Sequence, residues 1–374
     1  MKIYIRILIL FFVILQPVLS QNKNLNRTEN TSIIKLENNS SQLSFELNGG
    51  ALIDFQLKST NLNPFTWKLT SGQMPKNNQS GAAFQGHFLC VGRWGSPTNG
   101  EIKAGVPHNG QSSRDSWKID STKTTNFLKM SFTSPMDGIQ IERDVKLDNT
   151  NSIFKVKERF KNTNTIGRLF NVVQHATIGT PFLDSTVIVS TNAKEGFMQS
   201  LSFPNPSAFE YEWPIGYTDS LKTVVDLSKS DSRTSYVSTH IFSDSIGWVT
   251  IANPQKGVLM GYIWKTVSYP WINIWHQLID GKLWAKGLEF GTTGIGRSYQ
   301  DLLSCDTRFH GRNSFFFLDA TETVEKEYIC FQIQISKSFQ QVEKLELTPL
   351  GIKITEKEIS KPMYLFVKTD IKFN

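Results

Sequence analysis

The sequence predicts an all-β protein, a large antiparallel β-sandwich. Three observations predict it. From Leu43 onward, apolar and polar residues alternate with a period of two, as half-buried strands require. The chain carries 26 Phe, 9 Trp and 9 Tyr among 374 residues, and these suit a pleated surface. No convincing amphipathic helix longer than about two turns appears, so the βα rhythm of a parallel fold is missing. The composition, 39% hydrophobic and 20% charged, excludes a disordered chain. Three cysteines exclude a disulfide-dense scaffold.

Met1 to Ser20 reads as a secretory signal peptide. Lys2 and Arg6 form its basic start, Ile7 to Leu15 its apolar run, and Val18-Leu19-Ser20 its cleavage site. That run is too short to span a bilayer as a mature helix. Export to the periplasm or the medium is therefore expected, with no integral membrane segment after cleavage. Two of the +7 formal charges leave with the signal. No Lys/Arg cluster or basic helical stripe points to a nucleic-acid partner. Residues 21–38 are Asn-rich and aperiodic and read as a flexible leader. Residues 39–374 read as a single domain.

The strands follow in order. Leu43 to Leu57 reads as a hairpin around Asn48-Gly49-Gly50. In the hairpin at 139–160, Ile139, Ile141, Val145 and Leu147 share one face, and Phe154, Val156 and Phe160 answer them. Pairing Leu147 with Phe154 sets Arg143 opposite Glu158 on the apolar face, where an unpaired charge is costly. A partly buried, structural ion pair is expected. Leu169–Ile178, Val187–Ser190, Gly247–Ala252, Val258–Trp264, Trp271–Leu278, Leu283–Phe290 and Tyr328–Ile335 read as further strands. Ser298 to Cys305 reads as a short helix.

Chemistry has to come from few residues. Cys90, Cys305 and Cys330 allow one disulfide at most, and three separate thiols are the simpler reading. With no Cys-x-x-Cys or His-x-x-x-His, no metal and no cofactor are expected. The six histidines take meaning from context. Gly92-Arg93-Trp94-Gly95 leads through a Gly-rich loop to Pro107-His108-Asn109-Gly110. Val172-Val173-Gln174-His175 ends a strand. Later comes Lys286-Gly287-Leu288-Glu289-Phe290-Gly291-Thr292-Thr293.

In this order the segments resemble the galactose mutarotase-like (aldose 1-epimerase) superfamily over roughly residues 40–340. The family shows a Gly-Arg loop, a His-Gly loop, a strand-end histidine and then a glutamate before a Thr. The hairpin ending in Asn162 resembles the family's as well. The resemblance implies a β-supersandwich binding a sugar on its concave face. It implies Glu289 as the base that takes the anomeric hydroxyl proton and His175 as the acid that protonates the ring oxygen. His108 and Arg93 would hold hydroxyls and the ring oxygen. The sequence departs from the family in two places. Ala176-Thr177-Ile178 follows the histidine where the family has Pro-x-Phe/Trp, and Thr239 or His240 stands where the family has a substrate-binding aspartate.

Tyr269, Trp271, Asn273 and Trp275 share one face of their strand. An aromatic row with an amide suits stacking on a sugar, so Trp271, Trp275 and Asn273 are candidate substrate contacts, with core packing as the alternative. His276 faces the Ile side and reads as a core histidine. The Pro- and aromatic-rich segment from Phe203 to Pro214 reads as a lid or as a rigid crossover. Three functions remain open: an exported aldose 1-epimerase-like isomerase, a non-catalytic carbohydrate-binding protein of the same fold, and a polysaccharide lyase or hydrolase. In each, the partner is a free sugar or glycan.

Overall fold

In the computed structural model, residues 32–120, 125–357 and 363–373 are described. The expected signal peptide, residues 1–20, and residues 21–31 of the expected leader lie outside them. The rest of the leader is not loose chain. Ile33–Glu37 forms a strand paired with Ser41–Glu46, Leu36 opposite Leu43 and Ile34 opposite Phe45. Ile34 and Leu36 alternate with exposed neighbours and are buried, so a short period-two pattern inside a polar stretch is enough to add an edge strand.

The molecule is built of antiparallel strands in two large sheets. The ten-stranded sheet runs, in spatial order, through Ile33–Glu37, Ser41–Glu46, Ala51–Leu57, His87–Val91 and Val172–Ile178. It continues through Lys282–Gly291, Trp271–Ile279, Tyr236–Ile241, Glu195–Met198 and Tyr211–Glu212. The eight-stranded sheet carries Ile246–Asn253, Val258–Lys265 and Thr323–Gln334 beside the hairpin Ile139–Leu147/Ile153–Asn162. The main core lies between the two sheets and includes Phe45, Phe55, Phe154, Phe160, Tyr262 and Phe290. At the first hairpin turn, Gly50 sits at φ +60°, and a Cβ there would strike the Trp117 indole at 2.3 Å.

The 139–162 hairpin has the expected register, with Leu147 opposite Phe154 and Arg143 opposite Glu158. Arg143 Nε donates to Glu158 Oε1 at 2.7 Å, and both side chains are buried. Arg143 also donates to the Gly50 carbonyl at 2.6 Å. From the facing sheet, Gln174 donates to Glu158 Oε2 at 2.6 Å and to the Tyr269 hydroxyl at 3.0 Å. His87 pairs with Gln174 Oε1 at 3.0 Å and with the Tyr262 hydroxyl at 2.9 Å. This partnered network joins the two sheets through the core.

A third layer was not anticipated. Val342–Thr348, Gly351–Glu356 and Met363–Lys368 form a three-stranded sheet. Its Leu345, Ile352, Ile354 and Val367 share a second core with Trp248, Leu259, Ile263, Ile329 and Phe331 of the eight-stranded sheet. The short helix expected near 298 is Tyr299–Ser304, capped by Ser298 accepting from the Asp301 amide. No helix of the described residues is long and apolar enough to cross a membrane.

Candidate active site

The site begins as a row across five adjacent strands of the larger sheet. Phe88 lies opposite His175, His175 opposite Glu289, Glu289 opposite Asn273, and Asn273 opposite Thr239. Residues in cross-strand register point to the same face with Cβ atoms about 5 Å apart, so the register alone makes these side chains neighbours. On that face, turned away from the main core, lies a cavity of about 630 Å³. Phe88, His175 and Glu289 line it, with His108, Trp94 and Trp275.

His175 Nε2 approaches Glu289 Oε1 to 3.3 Å. The His175 ring stacks on Phe88 with centroids 4.2 Å apart, and Nδ1 is partnered by Thr177 Oγ1 at 3.0 Å. Glu289 Oε2 is buried without a hydrogen-bond partner. Burial pushes the Glu289 carboxyl up to about 8, while the Trp94 side chain offsets only part of this. Burial also pulls His175 down to about 3, and His87 and His108 add to that. Both shifts favour the uncharged forms, a protonated carboxyl and a neutral imidazole. The pair sets a carboxyl and an imidazole in contact, the two kinds of group that one base and one acid need.

Room for the carboxyl comes from Gly287. A Cβ there would lie 2.5 Å from Glu289 Oε1 and 2.9 Å from Trp275 Cβ. His108 is presented by its loop. Asn78 accepts from the His108 amide at 2.9 Å and donates to its carbonyl at 3.1 Å. Asn109 Oδ1 accepts from the Gly95 amide at 2.8 Å, tying the His108 loop to the Gly92-Arg93-Trp94-Gly95 loop. The His108 ring meets Ser96 Oγ at 3.2 Å, and burial lowers it to about 4, with the Arg93 charge adding to the effect.

Four of the seven sequence candidates line the cavity: His175, Glu289, His108 and Trp275. Arg93 does not. It is 8% exposed, and its two terminal nitrogens donate to Glu101 at 2.9 and 2.5 Å. The Thr98-Asn99-Gly100-Glu101 helix start turns that carboxylate onto the guanidinium, so Arg93 braces its loop and has no exposed face for a sugar. Trp271 and Asn273 point to the site side but are covered by the loop that follows Glu289. Gly294 packs on the Trp271 ring, and Phe197 and Phe309 close around it. Asn273 donates to the Thr293 carbonyl at 3.5 Å and accepts from Thr239 at 2.7 Å. Tyr269 lies outside the strand and faces the main core, bonded to Gln174.

Thr239 and His240, at the expected aspartate position, are both occupied. Thr239 donates to Asn273 and Gly294, and His240 pairs with Ser238 and the Lys194 carbonyl. His276 stacks on Tyr236 and meets the Ser232 carbonyl at 3.0 Å, as a core histidine does. The 203–214 segment ends in the edge strand Tyr211–Glu212, and none of its residues lines the cavity. It is a crossover.

Sequence reasoning missed Trp67, Trp284 and Gln199. Trp67 lies outside any strand, so no periodicity marks it. Gln199 reaches from a short turn to Thr239 and to the Gly296 amide, and lines the cavity from the far side. Trp284 is displaced by a bulge, described below.

No protein-family model matches the chain. No curated protein matches it either. Solved structures do. The galactose mutarotase related enzyme from Lactobacillus acidophilus superposes with a TM-score of 0.59 at 10% identity, covering 84% of this chain and all of that one. A galactose mutarotase-like protein from Clostridium acetobutylicum gives 0.56 at 14% identity, covering 81% and 95%. Another from Lactobacillus casei gives 0.53 at 11% identity, covering 80% and 100%. These likenesses are ones of fold.

Proposed function

We propose that this galactose mutarotase-like fold serves an aldose 1-epimerase-type isomerase, which opens and recloses a neutral sugar ring at its anomeric carbon. The observation that carries this reading is the 3.3 Å approach of His175 and Glu289 on the floor of an aromatic cavity.

Ring opening needs one proton taken from the anomeric hydroxyl and one given to the ring oxygen. The C1–O5 bond breaks, C1 becomes a carbonyl carbon, rotation about C1–C2 exchanges its faces, and reclosure reverses the proton movements. Both oxygens are bonded to the same carbon, so two side-by-side groups can reach both. Glu289 takes the hydroxyl proton and His175 donates to the ring oxygen. This assignment requires an ionised carboxylate and a protonated His175 when the sugar is bound. Hydroxyl donors from the sugar stabilise the carboxylate that burial disfavours. Among the described residues lining the cavity none is Lys or Arg, which supports a neutral ligand over a phosphorylated or acidic one.

The test is the rate of anomeric exchange, followed by one-dimensional NMR across a panel of neutral aldoses. At least one sugar should exchange faster than in buffer, and Glu289→Gln should lose on the order of 10²–10⁴ of that gain. Equal rates in the variant, or no acceleration of any sugar, would contradict the reading. A sugar that binds in calorimetry without acceleration would assign the cavity to carbohydrate binding alone.

A further inference from the structure

The cavity extends beyond the catalytic pair. In the Trp271–Ile279/Lys282–Gly291 hairpin, Gln277 pairs with Ala285 but Leu278 pairs with Leu283, leaving Trp284 as the extra residue of a bulge. Strict alternation would put Trp284 with Lys286 on the core side. The bulge re-aims it to the site side, where Ala285, Gly287 and Glu289 point. There Trp67, Trp275 and Trp284 pack edge to face. Their ring centroids are 5.7 Å (Trp67–Trp275), 5.3 Å (Trp67–Trp284) and 6.2 Å (Trp275–Trp284) apart.

All three indoles line the same cavity as Glu289. From Trp284 to Glu289 the strand covers about 16 Å at a rise of ~3.3 Å per residue. One pyranose ring does not fill that length. The Trp67 indole N–H is buried without an acceptor, an unmet donor within the cluster. The Trp275 indole donates to Gln277 Oε1 at 3.3 Å, and Gln73 lines the same cavity, so both add amide groups and no charge.

We propose that the cavity is a two-ring site. The reducing ring lies at His175 and Glu289, and a second neutral pyranose ring stacks on the Trp67/Trp275/Trp284 cluster. The substrate class is then the reducing end of a neutral oligosaccharide. The inference rests on the epimerase reading for what happens at the first ring, while the second-ring subsite stands on the tryptophan geometry.

The experiment titrates glucose, galactose, maltose, cellobiose and lactose into wild type, Trp284→Ala, Trp284→Phe and Glu289→Gln. Tryptophan fluorescence and calorimetry report binding, and NMR exchange is measured in parallel. At least one disaccharide should bind about tenfold more tightly than its reducing monosaccharide. Trp284→Ala should remove that gain and leave monosaccharide affinity unchanged, and Trp284→Phe should restore part of it. Glu289→Gln should keep the gain and lose exchange. A disaccharide preference without exchange in wild type would overturn the epimerase reading and leave the subsite standing. Equal affinity for disaccharide and monosaccharide, equal loss of both in Trp284→Ala, or no binding of any of the five would overturn the subsite.

Discussion

Between Trp275 and Glu289 the chain carries Gly287, where a methyl group would fall 2.5 Å from the Glu289 carboxyl. Gly287→Ala should therefore push the carboxyl off His175. Because a displacement of about 1 Å at a reacting group costs on the order of 10²-fold, exchange should fall by that factor, and the second contact, 2.9 Å from Trp275 Cβ, should cost about 1–3 kcal/mol of stability. Circular dichroism melting beside the exchange assay separates the two effects.

Histidines set the acid limit. His87, His108, His175, His240 and His276 are all pulled below the ordinary value of 6.5, chiefly by burial. The folded state then binds fewer protons than the unfolded chain, so their contribution is complete above pH 6.5 and is lost as the pH falls toward 4 and 3. Glu289 has the opposite sign, losing stability as pH rises from 4.5 to about 8, but it is one group against five. Urea midpoints should drop steeply from pH 6.5 to 4. A flat profile would mean that these imidazoles charge without cost. At this scale the local motifs pointed to His175, His108, Glu289 and Trp275, which line one cavity. Sequence reasoning misjudged Arg93, because the capture of its guanidinium depends on Glu101, eight residues on, in the first turn of a short helix.

Among the elements, the hairpin at 139–162 was readable to the residue. Its alternation is strict, its loop is short, and one buried charge pair fixes the register. The same rule of alternation hid Trp284, since a bulge moves every side chain beyond it to the other face. It also hid the covering of Trp271 and Asn273, which the loop around Gly294 imposes from outside their strand. The Arg143–Glu158 pair binds the hairpin to the strand that carries His175, through Gln174. Glu158→Ala should leave a buried, unpaired guanidinium and cost about 3–5 kcal/mol in denaturant unfolding. A cost below 1 kcal/mol would show that the pair is dispensable.

Over the whole molecule, the antiparallel class followed from composition and period. The order of the strands did not. His87–Val91, Val172–Ile178 and Lys282–Gly291 are far apart in sequence and adjacent in the sheet, and only that adjacency turns separate motifs into one site. The C-terminal sheet was equally hidden, because its apolar face meets the outer face of strands that already seal the main core. Ile354→Ala should cost about 2–5 kcal/mol by opening a cavity in that second core, with the exchange rate per folded molecule unchanged. A loss of rate in the folded variant would instead link this layer to the site.

The claim that His175 and Glu289 act together on an anomeric centre is tested most directly by a crystal structure with a bound reducing sugar. The anomeric hydroxyl and ring oxygen should lie within ~3 Å of Glu289 and His175 respectively. A sugar seated with C1 turned away from the pair, or held elsewhere on the molecule, would contradict it.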